Sequence, residues 1–147
     1  MLYAKYDALD VAEYVLWYCE NKLKTPITNL QLQKILYYIQ GKSLELYNKP
    51  LFDNNIEAWD YGPVIPDVYY EYNRFIANPI TGVVPIDTNL FDCDEVKLIE
   101  SVVNNKFKIN VWELVKQTHK ETPWKKNYIS GLKKQIPISD LIENFKI

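Results

Sequence analysis

No long helix can cross the eleven residues Ile56-Glu57-Ala58-Trp59-Asp60-Tyr61-Gly62-Pro63-Val64-Ile65-Pro66. Pro63 and Pro66 each fix φ and lack a donor N–H, and Gly62 is the least costly place for a positive φ. Segments of helical periodicity flank this stretch, so it predicts a short extended arm closed by a tight turn. Along the arm Ile56, Ala58 and Asp60 face one way and Glu57, Trp59 and Tyr61 the other, which lets one side pack while the other reaches outward. Pro66 suits the first turn of a following helix and Asp67 its positive end. The corner is therefore either a structural lock between two helices or a recognition loop, and in both cases it sets the geometry of its neighbours.

The helices around it are marked by their caps. Asp7 opens a first helix from Ala8 to about Lys22, with Ala8, Val11, Ala12, Val15, Leu16 and Cys19 along one apolar stripe. Thr28 and Gln31 form a capping box for a second helix running to about Tyr47. Leu32, Ile35, Leu36, Ile39 and Leu46 make one apolar face of it, and Leu30, Tyr37 and Leu44 a second nearly opposite, which predicts a central helix enclosed by neighbours. A third helix is expected from Pro66 to about Ala77, a fourth from Asp92 to about Asn105, and a fifth after Asn110 carrying Trp112, Leu114, Val115 and His119. Thr122-Pro123 starts a sixth, and Ile138-Ser139 opens a last amphipathic segment. Val83-Val84-Pro85-Ile86 is expected to pair with the arm as an edge strand. The expected fold is mainly α (α+β): one compact domain over residues 1–147, with about six helices and a small two-stranded β element near residues 56–61 and 83–86.

Two residues of the second helix bear on the corner. Lys34 and Gly41 lie seven residues apart, hence along one line of the helix. A mid-helix glycine costs about 1 kcal/mol relative to alanine and often lets another segment approach closely. The Tyr-Gly-Pro corner is the segment expected at that notch. Lys34 either snorkels along the apolar face or is enclosed, and an enclosed lysine needs a carboxylate, for which Glu57 and Asp60 are available.

The chemistry the chain lacks narrows its function. One histidine, His119, leaves no His-based metal site and no two-histidine acid–base pair, and no serine elbow or phosphate loop is present. A Cys19, His119 and Asp60 triad requires three unrelated segments to converge and Cys19 to leave its stripe. No catalytic, metal or cofactor set is expected, and His119 at a helix C-terminus suits a structural role. A net charge of −2 supplies no broad field for nucleic acid. The longest apolar run, Ile35 to Ile39, is too short to span a membrane. Cys19 and Cys93 form no pair motif, which fits a reduced cytoplasmic setting. Twelve tyrosines and four tryptophans are unusual in 147 residues, so some rings serve either a core rim or a partner.

Three stretches carry a resemblance. Leu32-Gln33-Lys34-Ile35-Leu36-Tyr37-Tyr38-Ile39-Gln40-Gly41, then Ile56 to Tyr69, then His119-Lys120-Glu121-Thr122-Pro123-Trp124 resemble, in order, three signatures of the SocA-like Panacea domain, also described as a phage-associated GepA-type protein. The resemblance implies an antitoxin that neutralises a co-encoded protein toxin by direct contact, with a protease or chaperone as a further partner in an adaptor role. Lys34, Trp59, Tyr61, Gly62, Pro63, His119 and Trp124 are its motif positions, and no catalytic set comes with it. Members that repress their operon carry an added DNA-binding domain, and the single domain expected here over residues 1–147 leaves none expected.

Two hypotheses follow. In the first the chain is a binding module without enzymatic activity, meeting its partner through Tyr37, Trp59, Tyr61 and Tyr70 on a frame held by Lys34, Gly41, Glu57, Gly62, Pro63, His119 and Trp124. In the second Lys34, Glu57, Asp60 and His119 converge in a polar pocket and act on the toxin or on a nucleotide-like product.

Overall fold

The computed structural model describes residues 4–146. Its helices are α1 (Ala8–Asn21), α2 (Asn29–Tyr47), α3 (Pro66–Tyr72), α4 (Cys93–Lys106), α5 (Val111–His119), α6 (Thr122–Asn127) and α7 (Ile138–Phe145). Reciprocal capping boxes close the N-termini of α1 (Asp7 with Asp10), α2 (Thr28 with Gln31) and α4 (Asp92 with Glu95), so orphan backbone donors are satisfied locally. Asn48 ends α2 in the left-handed region at φ 55°, where its short polar side chain is tolerated. No helix of the described residues is long and apolar enough to cross a membrane.

The second helix is central, as its two apolar faces require. From Leu32 to Gly41 every residue of α2 is buried, with α1, α3, α4, α5, α7 and the sheet around it. Polar residues inside this helix hold the chain that follows it. Gln40 accepts from the Leu51 amide at 2.9 Å and donates to the Phe52 carbonyl, and Gln33 accepts from the Ile65 amide at 2.9 Å. Buried amides paired in this way avoid the cost of an unsatisfied group and fix the path of the arm.

The sheet corrects one expectation. Strands β1 (Glu57–Trp59) and β2 (Gly62–Val64) form a hairpin, and the third strand is β3 (Lys134–Gln135), antiparallel to β1 in the order β2-β1-β3. Residues 83–86 pair with nothing in the sheet. Pro85 has no N–H to donate, and the 80–92 segment is instead anchored by the Ile80 amide on the Ile27 carbonyl at 2.8 Å. The third helix also stops early: Asn73–Phe75 continue as a 3-10 turn, and Ile76 adopts φ 55°, ψ −116°. Seven α-helices among the described residues exceed the expected six because the last amphipathic segment is fully helical.

The glycine notch also has a different occupant. A Cβ on Gly41 would lie 2.6 Å from the Phe145 ring, so the notch admits the aromatic end of α7 and not the Tyr-Gly-Pro corner. Tyr37 and Tyr38 pack edge-on against the same ring, at 5.5 and 6.2 Å between centroids. Leu46, expected on the inner face, is largely exposed beyond the last turn that neighbours cover.

Candidate functional site

The corner is clamped from beneath. Gly62 has φ +111°, and a side chain there would meet Thr118 Oγ1 at 2.7 Å and Lys34 Cε at 2.8 Å. Lys34 is fully buried, and its Nζ donates to the Pro63 carbonyl at 2.9 Å. Among the described residues no carboxylate pairs with it, and burial pushes its pKa down to about 7. The expected acidic partners are engaged elsewhere: Glu57 accepts from the Trp59 indole at 2.9 Å, and Asp60 from the Tyr128 hydroxyl at 2.6 Å. A backbone carbonyl replaces the carboxylate because the corner descends with its peptide groups, not its side chains, against the lysine.

A stack of rings braces the corner from the side. His119, at the end of α5, lies 3.7 Å from Trp124 at an interplanar angle of 15°, and Trp124 lies 4.4 Å from Tyr128 at 16°. The Trp124 indole donates to the Trp59 carbonyl at 2.7 Å. Burial lowers the His119 pKa, opposed by the Asp60 backbone and reinforced by the Lys34 charge, and its Nε2 is buried without a hydrogen-bond partner. His119 is thus a packing element between a helix end and a tryptophan face.

Tyr37 is not a partner-facing ring. It is fully buried, and its hydroxyl donates to Glu121 Oε1 at 2.7 Å while Tyr38 donates to Oε2 at 2.9 Å. Burial, joined by the Glu121 charge, drives both phenol pKa values far upward, so both stay protonated donors. Burial also raises the Glu121 pKa, against the two phenol hydrogen bonds. The second apolar face of α2 placed Tyr37 correctly on an enclosed side; its hydroxyl is buried because a carboxylate from the α5–α6 junction reaches it.

On the other side of the corner lies an open basin of about 570 Å³. Trp59, Asp60, Tyr61 and Val64 from the hairpin form one wall, Tyr69 and Ile76 a second, Val111 and Trp112 a third, and Gly131, Leu132 and Lys133 a fourth. Its aromatics meet edge to face: Trp59 with Tyr69 at 5.0 Å and 65°, Tyr61 with Trp112 at 5.3 Å and 80°. Tyr61 is 56% exposed, Tyr70 54%, Trp112 51% and Leu132 56%. The floor is polar in name alone, since Asn29 donates to the Tyr69 carbonyl and accepts from Gln33, whose own oxygen is held by Ile65. Exposed apolar rings over a hydrogen-bonded floor make an apolar concave surface.

Of the rings expected to face a partner, Trp59 and Tyr61 line this basin and Tyr70 lies beside it, 6.0 Å from Trp59, whereas Tyr69, Ile76, Trp112, Leu132 and Lys133 line it without having been expected to. A signal existed for Trp112: it stands in the first turn of α5 beside Val111, one apolar residue more than the inward stripe of Leu114, Val115 and Thr118 uses. Leu132 lies in a turn where Ile129 and Leu132 bridge, and nothing local marks it as a wall.

The four residues of the enzymatic alternative do not share a pocket. Lys34 lies under Pro63, Glu57 holds an indole, His119 is stacked, and Asp60 alone among them lines the basin. Among the described residues no group of three or more His, Cys, Asp or Glu could hold a metal ion. Cys19 is buried, which pushes its thiol up to about 12, the state of an unreactive packed cysteine.

Residues 32–125 match the family model for the antitoxin SocA-like Panacea domain. Over 113 residues the chain is 35% identical to antitoxin SocA of Caulobacter vibrioides (strain NA1000 / CB15N), an alignment covering 69% of this chain and 60% of that protein. The chain therefore spans about three-fifths of the length of this curated relative. No solved structure matches it. The matched residues include the corner, Lys34, Gly41, His119 and Trp124, whereas the Gly131–Lys133 wall lies beyond them.

Proposed function

The chain belongs to the SocA-like Panacea antitoxin family, and from that membership we propose that it neutralises a co-encoded protein toxin by direct contact through the aromatic basin. One observation carries the location: half-exposed Tyr61, Trp112 and Leu132 surround a bowl whose floor side chains, Asn29 and Gln33, are already engaged in hydrogen bonds. Covering such a surface gains about 25 cal/mol per Å² of apolar area, and exposed tyrosine and tryptophan are the side chains that most often dominate binding energy. Tyr70 and the outward edge of Trp59 extend the surface, with rings 6.0 Å apart. A reducing, cytoplasmic setting suits Cys19 and Cys93, both free thiols.

The test is co-expression with the product of the neighbouring gene. Trp112→Asp and Leu132→Asp are expected to fold, to lose the co-purifying partner and to lose protection from growth arrest. Ile86→Asp, at a site 96% exposed and outside the basin, is expected to keep both. Folded basin variants that still protect and still co-purify the partner would overturn the docking site.

A further inference from the structure

One ammonium stands at the mouth of the basin. Lys133 is the sole cationic residue of its lining, and its Nζ stands 4.2 Å from the centre of the Trp59 ring. It reaches the Tyr70 hydroxyl at 3.4 Å, and no described carboxylate forms an ion pair with it. An ammonium has three donors, so Lys133 keeps donors free for an incoming group. Asp60, the one acid of the lining, already receives the Tyr128 hydroxyl.

The wider charge distribution points the same way. Residues 106–134 carry eight lysines against Glu113 and Glu121, whereas the first 105 residues carry fifteen carboxylates against eight cationic side chains. Of the eight lysines, Lys116 and Lys126 alone are ion-paired among the described residues. A net charge of −2 thus conceals a basic stretch of sequence, and that stretch includes Lys133.

We infer that the basin receives an acidic protein segment: an aromatic or bulky aliphatic side chain enters the bowl, and a carboxylate beside it meets Lys133. This rests on the docking reading above and names the chemistry of the docked segment. Single-stranded nucleic acid also uses lysines and aromatic platforms, stacking successive bases along a track. Here the rings meet edge to face at 65° and 80° around one bowl, which seats one group and offers no series of open faces.

The experiment uses the full chain and three probes. Anilinonaphthalene sulfonate and its uncharged counterpart N-phenyl-1-naphthylamine share an aromatic body and differ in the anion. The sulfonate is expected to bind at one saturable site about fivefold more tightly than the neutral dye, the size of an exposed ion pair. Lys133→Glu is expected to remove that preference; Trp112→Ala is expected to weaken both dyes. An acetylated Glu-Trp-Leu-Glu peptide should then displace the dye at lower concentration than Gln-Trp-Leu-Gln. Equal displacement by the two peptides, a charge preference that survives Lys133→Glu, or stronger displacement by oligothymidylate would overturn the inference. Partner co-purification with Trp112→Ala separates the two claims. If the partner needs Trp112 while the probes show no charge preference, docking stands and the acidic segment falls. If the preference holds and the partner ignores Trp112, the basin keeps its chemistry and loses the toxin.

Discussion

The two faces of the Trp59–Val64 corner differ sharply, one closed by packing and the other open. Beneath it, Lys34 and Thr118 leave no room for one added carbon, and the corner's carbonyls at Trp59 and Pro63 are each held by a side-chain donor. Outside it, Tyr61 stands half exposed beside Trp112 over a basin with no internal occupant. Six residues therefore hold the fold together on one side and present an apolar surface on the other. The lesson is that the motif's glycine and prolines serve the inner face, while its outward rings are free to serve recognition.

Breaking the inner face should produce the largest effect. Gly62→Ala forces a side chain into the left-handed region and into Thr118 and Lys34, and is expected to cost about 2–5 kcal/mol in denaturant unfolding. An unchanged unfolding midpoint would mean that the corner is not clamped. Next, Trp124→Ala removes two stacking partners and the donor to Trp59, with an expected loss of about 2–4 kcal/mol.

A pH series sharpens the comparison further. The folded pKa of Lys34 lies near 7, below its unfolded value, so between these values the unfolded chain binds more protons and stability rises with pH. From pH 7 to pH 9 the gain is expected to approach about 2 kcal/mol, and Lys34→Met should flatten that slope. A wild-type protein with constant stability over this window would place the Lys34 ammonium in contact with water. The smallest effect belongs to the outer face. Trp112→Ala is expected to change stability by under about 0.5 kcal/mol while weakening partner binding about tenfold or more. A large loss of stability would make Trp112 part of the core and end the contrast.

Much of this was legible from residue order. Capping boxes at Thr28 and Asp92 marked helix starts because they satisfy donors within four residues, and the doubly apolar second helix had to be central. Pro63, Gly62 and Pro66 dictated a hairpin corner leading into a helix. The strand that joins it was misassigned because Val83 to Ile86 and Lys134–Gln135 are both plausible edges, and strand choice is a long-range decision. Tyr37 was given to a partner because nothing near it in sequence announces Glu121, 84 residues away.

What the chain determines by itself is its local grammar: where helices begin, where they cannot continue, and the motif set that places it in its family. Only tertiary structure decided that Phe145 fills the Gly41 notch, that a carbonyl answers Lys34, and that Trp112 and Leu132 close a basin with Tyr61. The physical reason is range. Caps, turns and proline constraints act within a few residues, whereas burial, ring packing and the pairing of a buried charge depend on which distant segment arrives to exclude water.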